Sequence, residues 1–296
     1  MKTLLSLSLL LLLPTFSFAT CYQDDVKQAI QAQNIDRLAR LLTIIETETN
    51  CPKTVLDNIE HSMTEIATTK AEALIQQKQF TKAEKWLQRA PTNLWTTQVA
   101  RAKCVAHTKE WQKTAKFYNQ ALDLIADPQV TPQAPPLLEI QKIFQLASEA
   151  QVLAGNLDAT ITYAGKASGM MRENIRGFKP EKHIIPLPFD EKKSSTRLSP
   201  KGKKVARKLG AYLKQYGFKD IILIGHQHPK EESCACVSKR YIQALKVYLT
   251  LKSKIKARIR ASSQGDRQPL KLSNPENYTP SEIKTLNRRV EVVVNL

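Results

Sequence analysis

Four side chains capable of metal or thiol chemistry fall within eleven positions: His226, His228, Cys234 and Cys236. An H-x-H followed by a C-x-C offers two imidazoles and two thiolates, a donor set suited to zinc or copper. The gap between the pairs is not one of the common zinc spacings, and a bridge between Cys234 and Cys236, only two residues apart, would be strained and reducible. Metal binding and oxidation therefore stand as rival outcomes. Arg240 and Tyr241 follow within a turn of helix-like sequence. Near the C-terminus, Arg288 and Arg289 open an alternating apolar run, so only one of them can face a ligand while the other meets an acidic neighbour or water. Either arginine can serve the fold instead. No nucleophile elbow, Walker loop, HExxH or paired carboxylates appear, so the chain reads as a non-enzyme that needs no cofactor.

The N-terminal stretch indicates an exported protein. Met1 to Ala19 has a basic start at Lys2, a leucine run and Ser17-Phe18-Ala19 as a small-x-small cleavage site, the pattern of a secretory signal peptide. Its apolar run is short for a bilayer span, and no other stretch approaches the roughly 20 apolar residues required. Cys21 invites a lipoprotein reading, but Thr20 before it is a poor processing residue, so simple cleavage after Ala19 is expected. Cys21 precedes one helical pattern and Cys51 follows a second, with a turn at Asn34-Ile35-Asp36 between them. An antiparallel pair would bring those ends together, and a Cys21–Cys51 disulfide closing about 30 residues would stabilise by about 3 to 4 kcal/mol. Cys104 lies in an apolar helical run and is expected as a buried thiol.

Charge is concentrated at one end of the chain. Of the formal +18, Pro180 to Leu296 carries +15, from 25 Lys and Arg against 10 Asp and Glu. The C-terminal part should be drawn to anionic surfaces such as cell-wall polymer, lipopolysaccharide or phospholipid headgroups. Nucleic acid is not an expected partner of an exported chain.

The elements that must position these residues are of two kinds. QFTKAEKWLQRA from Gln79, EWQKTAKFYNQA from Glu110 and NLDATITYAGKA from Asn156 align, with Ala83, Thr114 and Thr160 at a small site and Trp86, Phe117 and Tyr163 at an aromatic one. Ala90, Ala121 and Ala167 repeat a second small site. Phe80 and Trp111 are 31 residues apart, and the third copy is displaced by the proline loop Asp127 to Pro136. The period and site order resemble tetratricopeptide repeats, whose stacked hairpins can hold a peptide or partner helix. Ser168 to Pro180 reads as a linker. Beyond it, the pattern predicts a short strand at His183 to Asp190 and a helix from Ser199-Pro200 to Gly217. A strand at Asp220 to His226, a helix at Ser238 to Leu251 and a strand at Ala257 to Ser263 follow. Lys271 to Pro280 is expected to be irregular, and the last strand to cover Asn287 to Asn295.

PLPFD, LSPKGKKVARKLGAYLKQY, IILIGH, RIRASSQGDRQP and NRRVEVVV, in that order, resemble the OmpA-like peptidoglycan-binding domain of outer-membrane proteins, the Pal lipoprotein and flagellar stator proteins. The resemblance implies a non-catalytic binder of the diaminopimelate-containing stem peptide. An Asp three residues after the Gly of the GH motif takes the ammonium, and an Arg early in the next helix takes the carboxylate. Here His228 occupies the Asp position. Tyr241 falls at the Arg position when Leu245 and Leu249 are aligned, and Arg240 does so with a shift of one. Glu231 or Glu232 is a candidate for the missing carboxylate, and a histidine at His226 is expected by the resemblance itself.

The expected organisation is thus multidomain: residues 1–19 signal peptide, 20–170 all-α tetratricopeptide-like repeats, 171–182 linker, and 183–296 an α/β OmpA-like domain of order β-α-β-α-β-β. The expected role is a periplasmic envelope protein that docks on peptidoglycan and holds an envelope protein on its repeats. Outer-membrane association is part of that expectation. The alternative is an envelope-machine adaptor whose OmpA-like domain no longer binds the wall.

Overall fold

The computed structural model describes residues 21–155, 162–163, 166–167, 175–178, 183–185, 198–229, 236–272 and 275–295. The proposed signal peptide lies outside them. By internal contacts the chain divides into two compact units, Met1–Ile66 and Ala67–Leu296.

In the first unit, α1 (Gln23–Gln31) packs against α2 (Ile35–Thr47). Val26 and Ala29 of α1 and Ile35, Leu38, Leu41 and Ile45 of α2 are buried, the stripe expected of paired amphipathic helices. Asn34 caps α2, its Oδ1 accepting from the Arg37 N–H at 3.0 Å. Cys21 and Cys51 are joined by a disulfide with Cα atoms 5.6 Å apart and a separation of 30 residues. The following helix, α3 (Lys53–Gln76), runs across the boundary between the units.

The second unit opens with an α-helical array: α4 (Phe80–Leu87), α5 (Trp95–His107), α6 (Trp111–Ala126) and α7 (Leu137–Leu153). Each packs on the next. Phe80 and Trp111 begin α4 and α6, and the small sites Ala83, Ala90, Thr114 and Ala121 are all buried, as close helix approach requires. Cys104 is buried and free, its Sγ 3.7 Å from the Phe80 carbonyl oxygen, and burial pushes its pKa up to about 11, with Glu84 adding to the effect. The proline loop falls where expected, between α6 and α7.

The third repeat copy is not helical where it is described. Thr162–Tyr163 (β1) and Lys166–Ala167 (β2) form an antiparallel pair, so the tetratricopeptide register does not extend through them. β-branched Thr162 and aromatic Tyr163 suit an extended backbone, and the 3.6-residue match of this copy did not outweigh that. Part of the segment read as a linker is also packed: Ile175 is buried with the array and Phe178 lies edge-on to Phe144 at 5.5 Å.

The C-terminal part is a four-stranded sheet of order β3-β6-β4-β5, from β3 (His183–Ile185), β4 (Asp220–His226), β5 (Arg258–Gly265) and β6 (Val290–Asn295). β4 and β5 are parallel, while β6 runs antiparallel to both β3 and β4. Helix α8 (Pro200–Tyr216) is capped by Ser199, whose Oγ accepts from the Gly202 N–H at 3.0 Å, and ends at left-handed Gly217 with φ 64°. Helix α9 (Cys236–Val247) continues through a π-turn, Tyr248–Lys252. Leu209, Leu213, Ile221, Leu223, Ile242, Leu245 and Leu249 form the core between the helices and the sheet.

Two expectations fail here. The stretch after Lys271 contains a 3-10 turn at Pro275–Asn277 and a helix, α10 (Pro280–Asn287), so the order is β-α-β-α-β-α-β. β6 consequently starts at Val290 rather than Asn287. The helix is only eight residues long and nucleates through a capping box. Thr279 Oγ1 accepts from the Glu282 N–H at 3.2 Å, and Glu282 accepts from the Thr279 N–H at 2.7 Å.

This insertion returns to the helical array. Gln145 Nε2 donates to the Lys271 carbonyl at 2.7 Å, Lys109 Nζ donates to the Asn277 carbonyl, and Trp111 Nε1 donates to Glu282 at 2.6 Å. The Tyr278 ring stacks on Trp111 with centroids 5.5 Å apart, and its hydroxyl donates to Glu149 Oε2 at 2.6 Å. Glu149 is 1% exposed; burial raises its pKa, against the lowering effect of its bonds from Tyr278 and Gln145. A surface of the array that could have held a foreign segment is therefore occupied by the chain itself.

Candidate functional site

Three motifs separated by up to 64 residues converge at one end of the sheet. β4 ends in Gly225-His226, β5 ends in Gly265, and Arg289 leads into β6. The His226 N–H donates to the Arg289 carbonyl, and the Gln227 N–H to the Gly265 carbonyl, both at 2.9 Å. Arg289 Nη2 donates to the Gln268 carbonyl at 3.2 Å. A register shift at Gly225/His226 ends regular pairing with β5 here.

Glycine at Gly225 is required by packing. A Cβ there would lie 2.8 Å from Ile242 Cγ2 and 2.9 Å from the Ser238 carbonyl oxygen. The first turns of α9 thus press on the end of β4, and Ser238 Oγ shares a 2.5 Å hydrogen bond with Ser263 Oγ of β5.

A buried charged group underlies this edge. Arg289 donates to Glu291 Oε1 through Nε at 3.0 Å and Nη2 at 2.7 Å, and His226 Nε2 lies 3.4 Å from the same oxygen. All three residues are at most 5% exposed. Burial alone would raise the Glu291 pKa, but the His226 hydrogen bond, the Arg289 charge and the bonds from both hold it down at about 2. Burial pulls the Arg289 pKa down, opposed by Glu291. Alternation explains the grouping: residues 289 and 291 share one side of an extended segment, and Glu291 is registered opposite Ile224, two residues before His226. Glu291 was not singled out from the sequence, although the R-V-E spacing carries that signal.

The expected ligand residues are distributed unevenly. Arg289 turned inward and Arg288, the C-cap of α10, is exposed, so Arg288 is the arginine on the solvent side. His228 is half-buried just past the end of β4. On α9, Leu245 and Leu249 face the core, leaving Tyr241 half-buried one turn before Leu245. Arg240 is exposed and lines a groove between α8 and α9. Glu231, Glu232 and Cys234 lie outside the described residues, as does the side chain of Cys236. Of the four metal-donor candidates, His226 is buried against Glu291, its Nε2 3.4 Å from the carboxylate. Among the described residues no three His, Cys, Asp or Glu side chains gather to hold a metal.

No family model matches the chain, and no curated protein matches it. Solved structures similar to it include a putative MotB-like protein from Desulfovibrio vulgaris, at 21% identity over 38% of this chain and 72% of that one, with a TM-score of 0.31. The cell wall anchor of the T6SS from Pseudomonas aeruginosa is 16% identical over 49% and 94% of the two chains, with a TM-score of 0.34. The OmpA-like domain of FopA1 from Francisella tularensis is 17% identical over 38% and 73%, with a TM-score of 0.27. Among the described residues no helix is long and apolar enough to cross a membrane.

Proposed function

We propose that the protein is a periplasmic cell-envelope component that docks on peptidoglycan through its C-terminal α/β domain. One observation carries this reading: the GH, QGDRQ and NRRVE motifs, which carry the resemblance to the OmpA-like peptidoglycan-binding domain, come together at a single edge of the sheet through the His226, Gln227 and Arg289 bonds. In this reading the buried Arg289–Glu291–His226 group holds the edge rigid. Arg288, His228 and Tyr241 or Arg240 contact the stem peptide, and Glu231 or Glu232 supplies the carboxylate that His228 does not. The basic character of the domain adds non-selective attraction to the anionic wall.

The helical array holds a further envelope protein. Leu137 and Leu138, 55% and 77% exposed at the start of α7, offer an apolar contact outside the surface taken by Tyr278 and Glu282.

Sedimentation with purified sacculi across a salt series tests the wall reading. Binding that persists at high salt and is weakened by Tyr241→Ala, Arg240→Ala or the Glu231→Gln, Glu232→Gln pair is expected. Absence of binding at any salt overturns it in favour of an adaptor that has lost wall recognition, the reading that His228 at the acid position would then explain.

A further inference from the structure

The outer side of the helical layer carries an open groove of about 720 Å³ between α8 and α9, away from the residues that join the three motifs. Its apolar wall is unusual for a surface: Val247 and Leu251, one turn apart, are 53% and 67% exposed, and Leu198 and Tyr248 also line it. Among the described residues its charged lining is all cationic, Lys203, Lys239, Arg240 and Lys252. The sequence reasons are visible along α9. Ser238, Ile242, Leu245 and Leu249 are buried, Ala244 and Tyr248 are half-buried at the margin of the core, and Val247 and Leu251 extend the apolar surface outward from them. Lys239, Arg240 and Lys252 border that apolar surface.

We infer that this groove and its rim form a docking surface for an anionic phospholipid membrane, with Val247 and Leu251 entering the acyl boundary and the rim cations meeting the headgroups. Apolar side chains flanked by lysine and arginine are the composition of interfacial helices. Cationic residues near an anionic leaflet each strengthen attachment, within about a Debye length. The positive surface does not end at the groove. Arg207, one turn after Lys203 on α8, is exposed on the same face of that helix, so cations flank the groove on both helices, which matches an extended anionic plane better than one acidic helix laid along α9. Arg240 on the rim is shared with the wall-binding reading, but the inference rests on Val247, Leu251, Lys239 and Lys252 and does not depend on that reading.

Co-sedimentation of the purified chain with vesicles of phosphatidylcholine, with and without phosphatidylglycerol, tests the inference. The chain is expected to bind the phosphatidylglycerol vesicles and to bind pure phosphatidylcholine weakly. Val247→Ser with Leu251→Ser should lower the partition about tenfold or more, and so should Lys239→Gln with Lys252→Gln. Removing the exposed lysines Lys82 and Lys116 of the helical array as Lys82→Gln with Lys116→Gln should change it less than about threefold. All these positions are exposed, so thermal unfolding by circular dichroism should show each variant folded. Equal losses in the groove and control lysine pairs, or no loss on removing Val247 and Leu251, overturn the inference and leave only bulk charge attraction. Retained vesicle binding alongside groove-dependent capture of a Leu/Glu amphipathic helical peptide overturns it in favour of a protein partner. Sacculus binding unchanged in the Val247, Leu251 variant separates this surface from the wall site.

Discussion

Replacing Arg289 by methionine would leave Glu291 inside the sheet edge without its strongest counter-charge. The side chains of Arg289 and Glu291 are 3% and 7% exposed, so water cannot readily take over. Glu291 is held at about 2 from an ordinary 4.5, and that difference corresponds to about 3 kcal/mol of folding stability at neutral pH. Breaking a buried pair from one side generally costs about 3 to 5 kcal/mol, so an Arg289→Met loss of about 3 kcal/mol is expected in urea unfolding at pH 7. The pH dependence follows from the lowered pKa. The contribution is present above the unfolded value of 4.5 and disappears as pH falls toward the folded value of about 2. Wild-type stability should therefore decline through that window, and the Arg289→Met variant should show a shallower decline, with the His226 contact retaining part of it. A double variant, Arg289→Met with Glu291→Met, should lose less than the sum of the single losses by about 2 kcal/mol, because the second change removes the stranded charge. A single-variant loss below about 1 kcal/mol, or an unchanged acid decline, would refute the assignment of Glu291 to a charge-paired interior.

Other perturbations test the parts that support this edge. Gly225→Ala forces a Cβ against Ile242 and the Ser238 carbonyl and should cost about 1 to 3 kcal/mol, read as a lowered midpoint in thermal unfolding. Cys51→Ser removes a loop closure of 30 residues and should destabilise the first unit by about 3 to 4 kcal/mol, with reductant bringing wild type to the same value in urea titration. Glu149 has a raised pKa, so its contribution is complete below the unfolded carboxylate value and is lost as pH rises through the folded one. Glu149→Gln keeps an acceptor for the Tyr278 hydroxyl without the charge. Its stability relative to wild type should therefore rise with pH above about 4.5, and a gap that stays constant with pH in urea unfolding would contradict the burial argument.

Much of the architecture was legible because it depends on local chemistry. Ser199-Pro200 and Gly217 delimit α8 through a cap, a fixed proline φ and a left-handed terminus, all properties of single residues. The alternation of Ile221 and Leu223 marks β4, and the pairing of Cys21 with Cys51 follows from helix lengths and the turn at Asn34. α10 was missed even though Thr279-Pro280-Ser281-Glu282 carries a capping box, because eight residues with few apolar positions give almost no periodicity. The third repeat copy failed for the opposite reason: a helical spacing match was present, but Thr162 and Tyr163 are extended in the structure.

For the site, the sequence by itself determined which motifs are present, that the C-terminal part is strongly basic, and that His228 stands where the OmpA-like resemblance expects an acid. Only the tertiary structure decided which arginine faces solvent. Arg289 turns inward because β6 places it on the same side as Glu291 and brings that carboxylate to His226, whereas Arg288 is left exposed at the end of α10. Likewise, Arg240 and Tyr241 are neighbours in sequence but differ in helical angle, so one lines the α8–α9 groove and the other sits nearer the core side. The occupation of the array by Tyr278 and Glu282 joins residues more than 100 positions apart, and no local pattern encodes it. It exists because packing Trp111, Tyr278 and Glu149 together satisfies both the apolar surfaces and their polar atoms at once.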